Sequence, residues 1–457
     1  MMTKSFDYYE ARVEDVVAIT SAADLALCMR HYSGFIRQAA VERAIVLSDP
    51  AMLPAIIERL NDWVAPVRDA ARAGIVAMLP MIAAKHFIAL LPAIAHLRHA
   101  PRWNHLEWLA QFEREMVKHL SVDDLMAGLK GSEAKVARAC FDLLRRLTLI
   151  GPGALVEIGL ASRNDIVIGV QAVLLIDKLP VEERPDAWRT ALESSFGAVR
   201  TIALRRLLEQ PGEPDPAELA ELAELAISFL ANPQTSVRHA AIAYLLAHQF
   251  DVRRYYRKLL ATQSSPAPLL RICLAALAGL RQPDDIELAT EFSRHARASV
   301  RHAAYMAWLK LAPHAKDDIA RAAVADDSAR VRKAALDMVR RAGAYVPFDF
   351  IISTLTARRD WGLLLHFGEL ERWNTLEAIA RIAIAAKNDA EVRPVLAEAL
   401  AKWLRMAGSF TRPSAAQLAF LQDPATLAIL SDLTEKDNNW AQVLELELSI
   451  AFDKRHG

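Results

Sequence analysis

The apolar residues of this chain fall into one short phrase, rewritten about every thirty residues. A Val comes first, a basic residue follows it, and a small pair stands three and four residues on. The clearest copies are Val67-Arg68-Asp69-Ala70-Ala71, Val199-Arg200-Thr201-Ile202-Ala203, Val237-Arg238-His239-Ala240-Ala241, Val300-Arg301-His302-Ala303-Ala304 and Val331-Arg332-Lys333-Ala334-Ala335. At about 100° per residue, the Val, the small pair and a large apolar residue one turn later share one face of a helix. Small residues on that face let neighbouring helices approach closely.

Weaker copies keep the same template at Ile36-Arg37-Gln38-Ala39-Ala40, Val136-Ala137-Arg138-Ala139, Ile166-Val167-Ile168-Gly169, Leu270-Arg271-Ile272-Cys273 and Val392-Arg393-Pro394-Val395. Two double-length gaps contain the eroded copies Leu106-Leu109-Ala110 and Trp361-Leu364-Leu365. An apolar segment precedes the phrase, as in Met52 to Leu60, Leu219 to Leu230 and Asp317 to Ala325. Turn residues separate the two: Asn61-Asp62, Asn232-Pro233-Gln234, Asp326-Asp327-Ser328. Pro and Gly collect at connections such as Gly151-Pro152-Gly153 and Pro211-Gly212-Glu213-Pro214, where they break helices. No alternating strand pattern competes. The pattern predicts an all-α chain of roughly twelve helix-turn-helix units stacked as an α-solenoid. The expected organisation is an N-terminal cap over 1–30, a repeat array over 31–405 and a C-terminal helical cap over 406–457.

The Val-Arg-x-x-Ala phrase resembles the HEAT repeat, in particular the HEAT-like units of bacterial proteins. The resemblance extends from about residue 30 to about residue 405, nearly the whole chain. It implies an extended protein-binding surface and little about the partner, because fold does not set function. It also implies a ladder in which the phrase Arg meets an Asp of the preceding turn. Asp62 with Arg68 and Asp326 with Arg332 fit that spacing, while Ser194 and Asn232 replace the Asp before Arg200 and Arg238. On this reading the phrase arginines are structural.

Composition narrows the partner. The 457 residues carry 55 Lys/Arg and 55 Asp/Glu, a net charge of zero, whereas a chain that coats nucleic acid or an anionic membrane is usually strongly basic. Cys28, Cys140 and Cys273 are few and scattered, which suits a reducing cytoplasm better than a disulfide framework. The charged stretch from Met1 to Glu14 reads as no signal peptide, and charges interrupt each long apolar run.

By the resemblance, the second helix of each unit lines the concave side. Helical phase then turns the second, fifth, sixth and ninth residues after the Val away from the core. This picks out Arg205, His239, Ile242, Ile272, His302, Tyr305, Met306, Lys333, Leu336 and Arg340, with Leu204, as a central apolar strip framed by basic groups. Two readings stand side by side: a groove for an acidic protein or one presenting an apolar helix or strand, or a strip covered where adjacent helices meet. Charge is segregated in support of the first. Residues 236–345 hold 18 Lys/Arg against 10 Asp/Glu, and Glu209 to Glu224 is acidic.

Candidate chemistry is sparse. His86, His96, His99 and His105 share one stretch, and His96 and His99 have a helical ligand spacing, but no Cys or carboxylate completes a metal pattern. There is no phosphate loop, Gly-x-Ser-x-Gly elbow or His-Glu-x-x-His motif. The expectation is therefore a cytoplasmic, non-enzymatic binding scaffold with no metal and no cofactor: an adaptor, assembly factor or immunity-type inhibitor of a partner protein. The alternative is a HEAT-like DNA glycosylase or other nucleic-acid-binding protein. It draws on Trp63, Trp103, Trp108, Trp188, Trp308, Trp361, Trp373 and Trp403 and on Asp69 with Arg72. Catalytic positions of such enzymes do not align with this chain, and the tryptophans otherwise read as core or turn packing.

Overall fold

The computed structural model describes residues 12–209, 215–262, 264–405, 411–434, 442–443 and 446–449. Among these, every regular element is helical and none is a strand. The chain divides into two compact units, Met1–His248 and Gln249–Gly457.

The phrase explains how each helix buries itself. In the helix Ala65–Met78, Pro66 sits in the first turn, where its missing N–H costs nothing, and Val67, Ala71, Ile75 and Met78 are fully buried. Helix Ala329–Ala342 repeats this with Val331, Ala335 and Met338. It stops at Gly343, whose φ of +62° lets the N–H groups of Gly343 and Ala344 both reach the Met338 carbonyl.

Within each unit the phrase helices stack on one another. Gly34–Leu47 packs against Ala65–Met78, and Gly197–Leu208 against Thr235–Ala247. In the second unit Ala267–Leu280, Ala298–Leu311 and Ala329–Ala342 follow in succession. Each also packs on a partner helix of its own repeat, as Leu53–Arg59 does on Ala65–Met78 and Lys316–Val324 on Ala329–Ala342. The expected all-α stack of helix pairs is thus what forms. Helices also occupy the two eroded positions, Leu106–Met116 and Trp361–Gly368.

The ends depart from the simple pairing. Helices Val13–Ala18 and Ala22–Cys28 pack on Gly34–Leu47. In the second unit Arg372–Ala385 is buried almost all round, through Trp373, Leu376, Ala378, Ile379, Ala380 and Ile382. Trp361–Gly368, Val392–Arg405, Ala415–Leu421 and Pro424–Leu433 surround it, so its apolar residues need no single stripe. Parts of the expected caps (1–11, 406–410, 435–441, 444–445 and 450–457) and positions 210–214 of the acidic stretch lie outside the described residues.

Candidate functional site

The phrase arginines are the first candidates, and six of them share one geometry. Six residues before the Arg stands a polar turn residue: His31, Asp62, Ser194, Asn232, His295 or Asp326. Its side chain accepts from the backbone N–H two residues on, at 2.7–3.2 Å. Its carbonyl accepts from the guanidinium of Arg37, Arg68, Arg200, Arg238, Arg301 or Arg332. A helix N-terminus and an arginine are thereby tied to one turn.

The carboxylates are paired differently from the sequence expectation. Asp62 meets Arg37, not Arg68, through two bonds of 2.8 and 2.9 Å. Asp326 meets Arg301, not Arg332, at 2.8 Å twice, and Arg332 goes forward to Asp360 at 2.6 Å. Arg37, Arg301 and Arg332 therefore reach into the next repeat's turn for a carboxylate, while their own turns supply only carbonyls. Burial alone would raise the carboxyls of Asp62, Asp165 and Asp326. Their arginines, Arg37, Arg138 and Arg301, together with backbone N–H donors, hold all three below the ordinary value. Where the preceding repeat sends no Arg, as before Ser194, the turn residue is neutral. Arg200 finds Gln234 in place of an acid. The arrangement is structural, and it spends the arginines internally.

The central strip is only partly a surface. Arg205, His239, Lys333 and Arg340 are exposed, as is Met306 at 41%. Tyr305 is 6% and Leu336 4% exposed, and Leu204 is fully buried, so these three cannot line an open groove as expected. Ile242, Ile272 and His302 are half-buried. The physical reason is the stacking: the fifth position lies on the helix flank, and the neighbouring phrase helix covers that flank. Burial, with Arg330 and Arg271 nearby, also lowers the His302 pKa, so this ring adds no positive charge at neutral pH. Arg340 donates to the His366 carbonyl at 3.3 Å. The strip falls across both units, with Arg205, His239 and Ile242 in the first and the others in the second.

The turns of the first unit carry the exposed aromatics Tyr32, Trp63 and Trp103, with Phe35 in the first turn of helix Gly34–Leu47; the Val-Arg phrase picks out neither Tyr32 nor Phe35. Tyr32, Phe35 and Trp63 are 72%, 78% and 67% exposed, and Trp103 is 47% exposed. Tyr32 gives its carbonyl to Arg37, whose guanidinium lies 5.3 Å from the Trp63 ring. Arg68 bonds the carbonyl next to Trp63 and lies 4.0 Å from the Trp103 ring. Ring and guanidinium thus alternate along successive turns, each indole held by an arginine that the fold has already fixed. The signal was in the sequence, since Tyr32 and Trp63 both stand five residues before a phrase Arg. Trp188, Trp373 and Trp403 are core residues, as the packing reading had it.

Asp69 is exposed, but Arg72 lies 5.3 Å from the Trp108 ring and donates to His105 Nδ1 at 3.0 Å. The other His105 nitrogen, Nε2, donates to Asn61 Oδ1 at 3.1 Å. Burial, then Arg72 and Arg68, lower the His105 pKa and keep it neutral. His96 and His99 are exposed at a helix end. Among the described residues no group of three or more His, Cys, Asp or Glu is placed to hold a metal ion, and no helix is long and apolar enough to cross a membrane. Cys28 and Cys140 are buried, which pushes both thiols up to about 11.

No protein-family profile matches the sequence, and no curated protein does. Among solved structures, Kap121p bound to Pho4p aligns over 99% of this chain and 55% of its own, at 13% identity and a TM-score of 0.29. Kap121p alone aligns over 93% and 45%, at 14% identity and a TM-score of 0.22. The chain spans about half the length of these proteins. At so low a TM-score neither likeness bears on function.

Proposed function

We propose that this chain is a non-enzymatic scaffold that binds another protein, as an adaptor, assembly factor or immunity-type inhibitor in the cytoplasm. The observation that carries this reading is the aromatic ridge of Tyr32, Phe35, Trp63 and Trp103. Isolated exposed apolar side chains are ordinary, but four exposed aromatics in one unit, with Trp63 and Trp103 each against an arginine, are the residue types that anchor protein interfaces. In the second unit the exposed basic residues Lys333 and Arg340, with Met306, are a second candidate surface and favour an acidic partner. Three buried, unbridged cysteines fit a reducing compartment.

The test is affinity for a partner co-purified from the native host. Trp63→Ala and Phe35→Ala should each weaken binding by about 2 kcal/mol with melting unchanged. Lys333→Glu should slow association if the basic surface steers an acidic partner. Wild-type affinity in both ridge variants would remove the ridge from the interface. Tight, salt-sensitive binding to an oligonucleotide in place of a protein would favour the nucleic-acid reading.

A further inference from the structure

The second unit contains a cavity of about 420 Å³ that the scaffold reading does not use. Its floor is one face of the buried helix Arg372–Ala385, which presents Asn374, Glu377 and Arg381 three and four residues apart. One wall is the segment Ala344–Ile351 with Phe367, and the other is the start of helix Ala415–Leu421. Glu377 is 3% exposed, so its carboxylate is almost wholly withdrawn from bulk water.

Such a group needs compensation, and the contact shown is a single 3.2 Å bond from Arg381 Nη2 to Oε1. A carboxylate can accept about four bonds. Arg381 also lies against the Phe420 ring, its guanidinium 3.6 Å from the centroid, and its buried Nε has no hydrogen-bond partner among the described residues. Asn374 is also engaged, accepting from Gln417 Nε2 at 2.7 Å. Among the described residues, the acceptor without a protein bond on the cavity floor is therefore Glu377 Oε2, beside the unused Arg381 Nε donor. Asp349 adds a second negative charge, so the acidic groups outnumber the one cation. The remaining wall is apolar, with Val346, Ile351 and Phe367.

We propose that this cavity binds an organic ammonium group on a short apolar stem, with Glu377 as the carboxylate that receives it. The N–H donors of the ammonium supply the bonds that Glu377 lacks, and the stem lies against the apolar wall. The volume falls within the usual range of small-ligand sites, about 300–1,000 Å³. Free amines and a lysine side chain of a partner protein present the same chemistry. The inference does not depend on the aromatic ridge, which lies in the other unit.

Titration calorimetry on the full chain tests it, with 2-phenylethylammonium as the free-amine probe and Nα-acetyl-lysine amide as the side-chain probe. Saturable binding of at least one is expected, together with none of the neutral 2-phenylethanol. Preference for the first probe points to a free amine, and preference for the second to a partner's lysine. Glu377→Gln should weaken binding by at least about tenfold. Ala416→Trp, on an exposed lining residue, should block the cavity while leaving the helical circular dichroism unchanged, and it serves if Glu377→Gln fails to fold. The proposal is overturned if neither ammonium binds, if 2-phenylethanol binds equally well, or if Ala416→Trp binds as wild type does.

Discussion

Asp62 and Asp326 are tolerable as buried charges because a guanidinium from the preceding repeat arrives to meet them. Removing that partner is the severe change. Arg301→Ala should cost about 3–5 kcal/mol, since it leaves Asp326 charged, buried and uncompensated. Urea unfolding with Asp326→Asn as the companion variant measures this; equal stability of Arg301→Ala and wild type would refute it. The same pairs set an acid limit. Asp62, Asp165 and Asp326 have folded pKa values below their unfolded ones. Their contribution is complete above the unfolded value, about 4, and is lost as pH falls through the folded values. The melting temperature should drop in that window, and less so when all three are Asn. His105 acts at milder pH. Its lowered folded pKa means the unfolded chain takes the proton first. Stability should therefore begin to fall below about pH 6.5, and His105→Gln should remove that part of the slope.

At the scale of elements, close packing decides which positions are free. A Cβ on Gly159 would stand 2.3 Å from the Cβ of Ala172 on the next helix, and neither can rotate away. Gly159→Ala should force helices Pro152–Ala161 and Ile166–Val173 apart at a cost of about 1–3 kcal/mol, readable as a lower urea midpoint. Tyr305 shows the same principle in a residue that helical phase alone turns outward. Stacked near Trp308 at 6.3 Å and almost wholly buried, it belongs to the packing between repeats. Tyr305→Ala should cost about 3 kcal/mol of stability. Lys333→Glu, one turn from the core on an exposed position, should stay within about 0.5 kcal/mol. A Tyr305→Ala variant as stable as wild type would return that ring to the surface.

For the whole molecule, stacking on sequence neighbours makes stability a sum of repeat and interface contributions within each unit. Unfolding should spread through each stack in place of one two-state step. In hydrogen exchange, Arg372–Ala385, packed on several sides, should be among the slowest segments. Leu106–Met116, at an eroded repeat, should exchange before Ala65–Met78. Uniform protection would contradict this. Far-ultraviolet circular dichroism should show helix in well over half of the residues, as about 0.6 helical fraction or more.

The sequence by itself determined the helix, the repeat and the stripe that each helix buries, because all three follow from local periodicity: Val67, Ala71 and Ile75 meet at one azimuth whatever surrounds them. It also placed the turns, through Asp62, Asn232 and Asp326. Only the tertiary structure decided which partner each charge would meet and which flank would stay wet. Arg37 and Asp62 are 25 residues apart, and nothing local distinguishes that pair from Asp62 with Arg68. Leu336 and Met306, five and six residues after their Val, are both turned from the core stripe by helical phase, yet Leu336 is covered and Met306 is not. The cavity around Glu377 was equally invisible, since its walls come from segments nearly eighty residues apart (Val339 to Gln417), and a void is a property of how surfaces fail to meet.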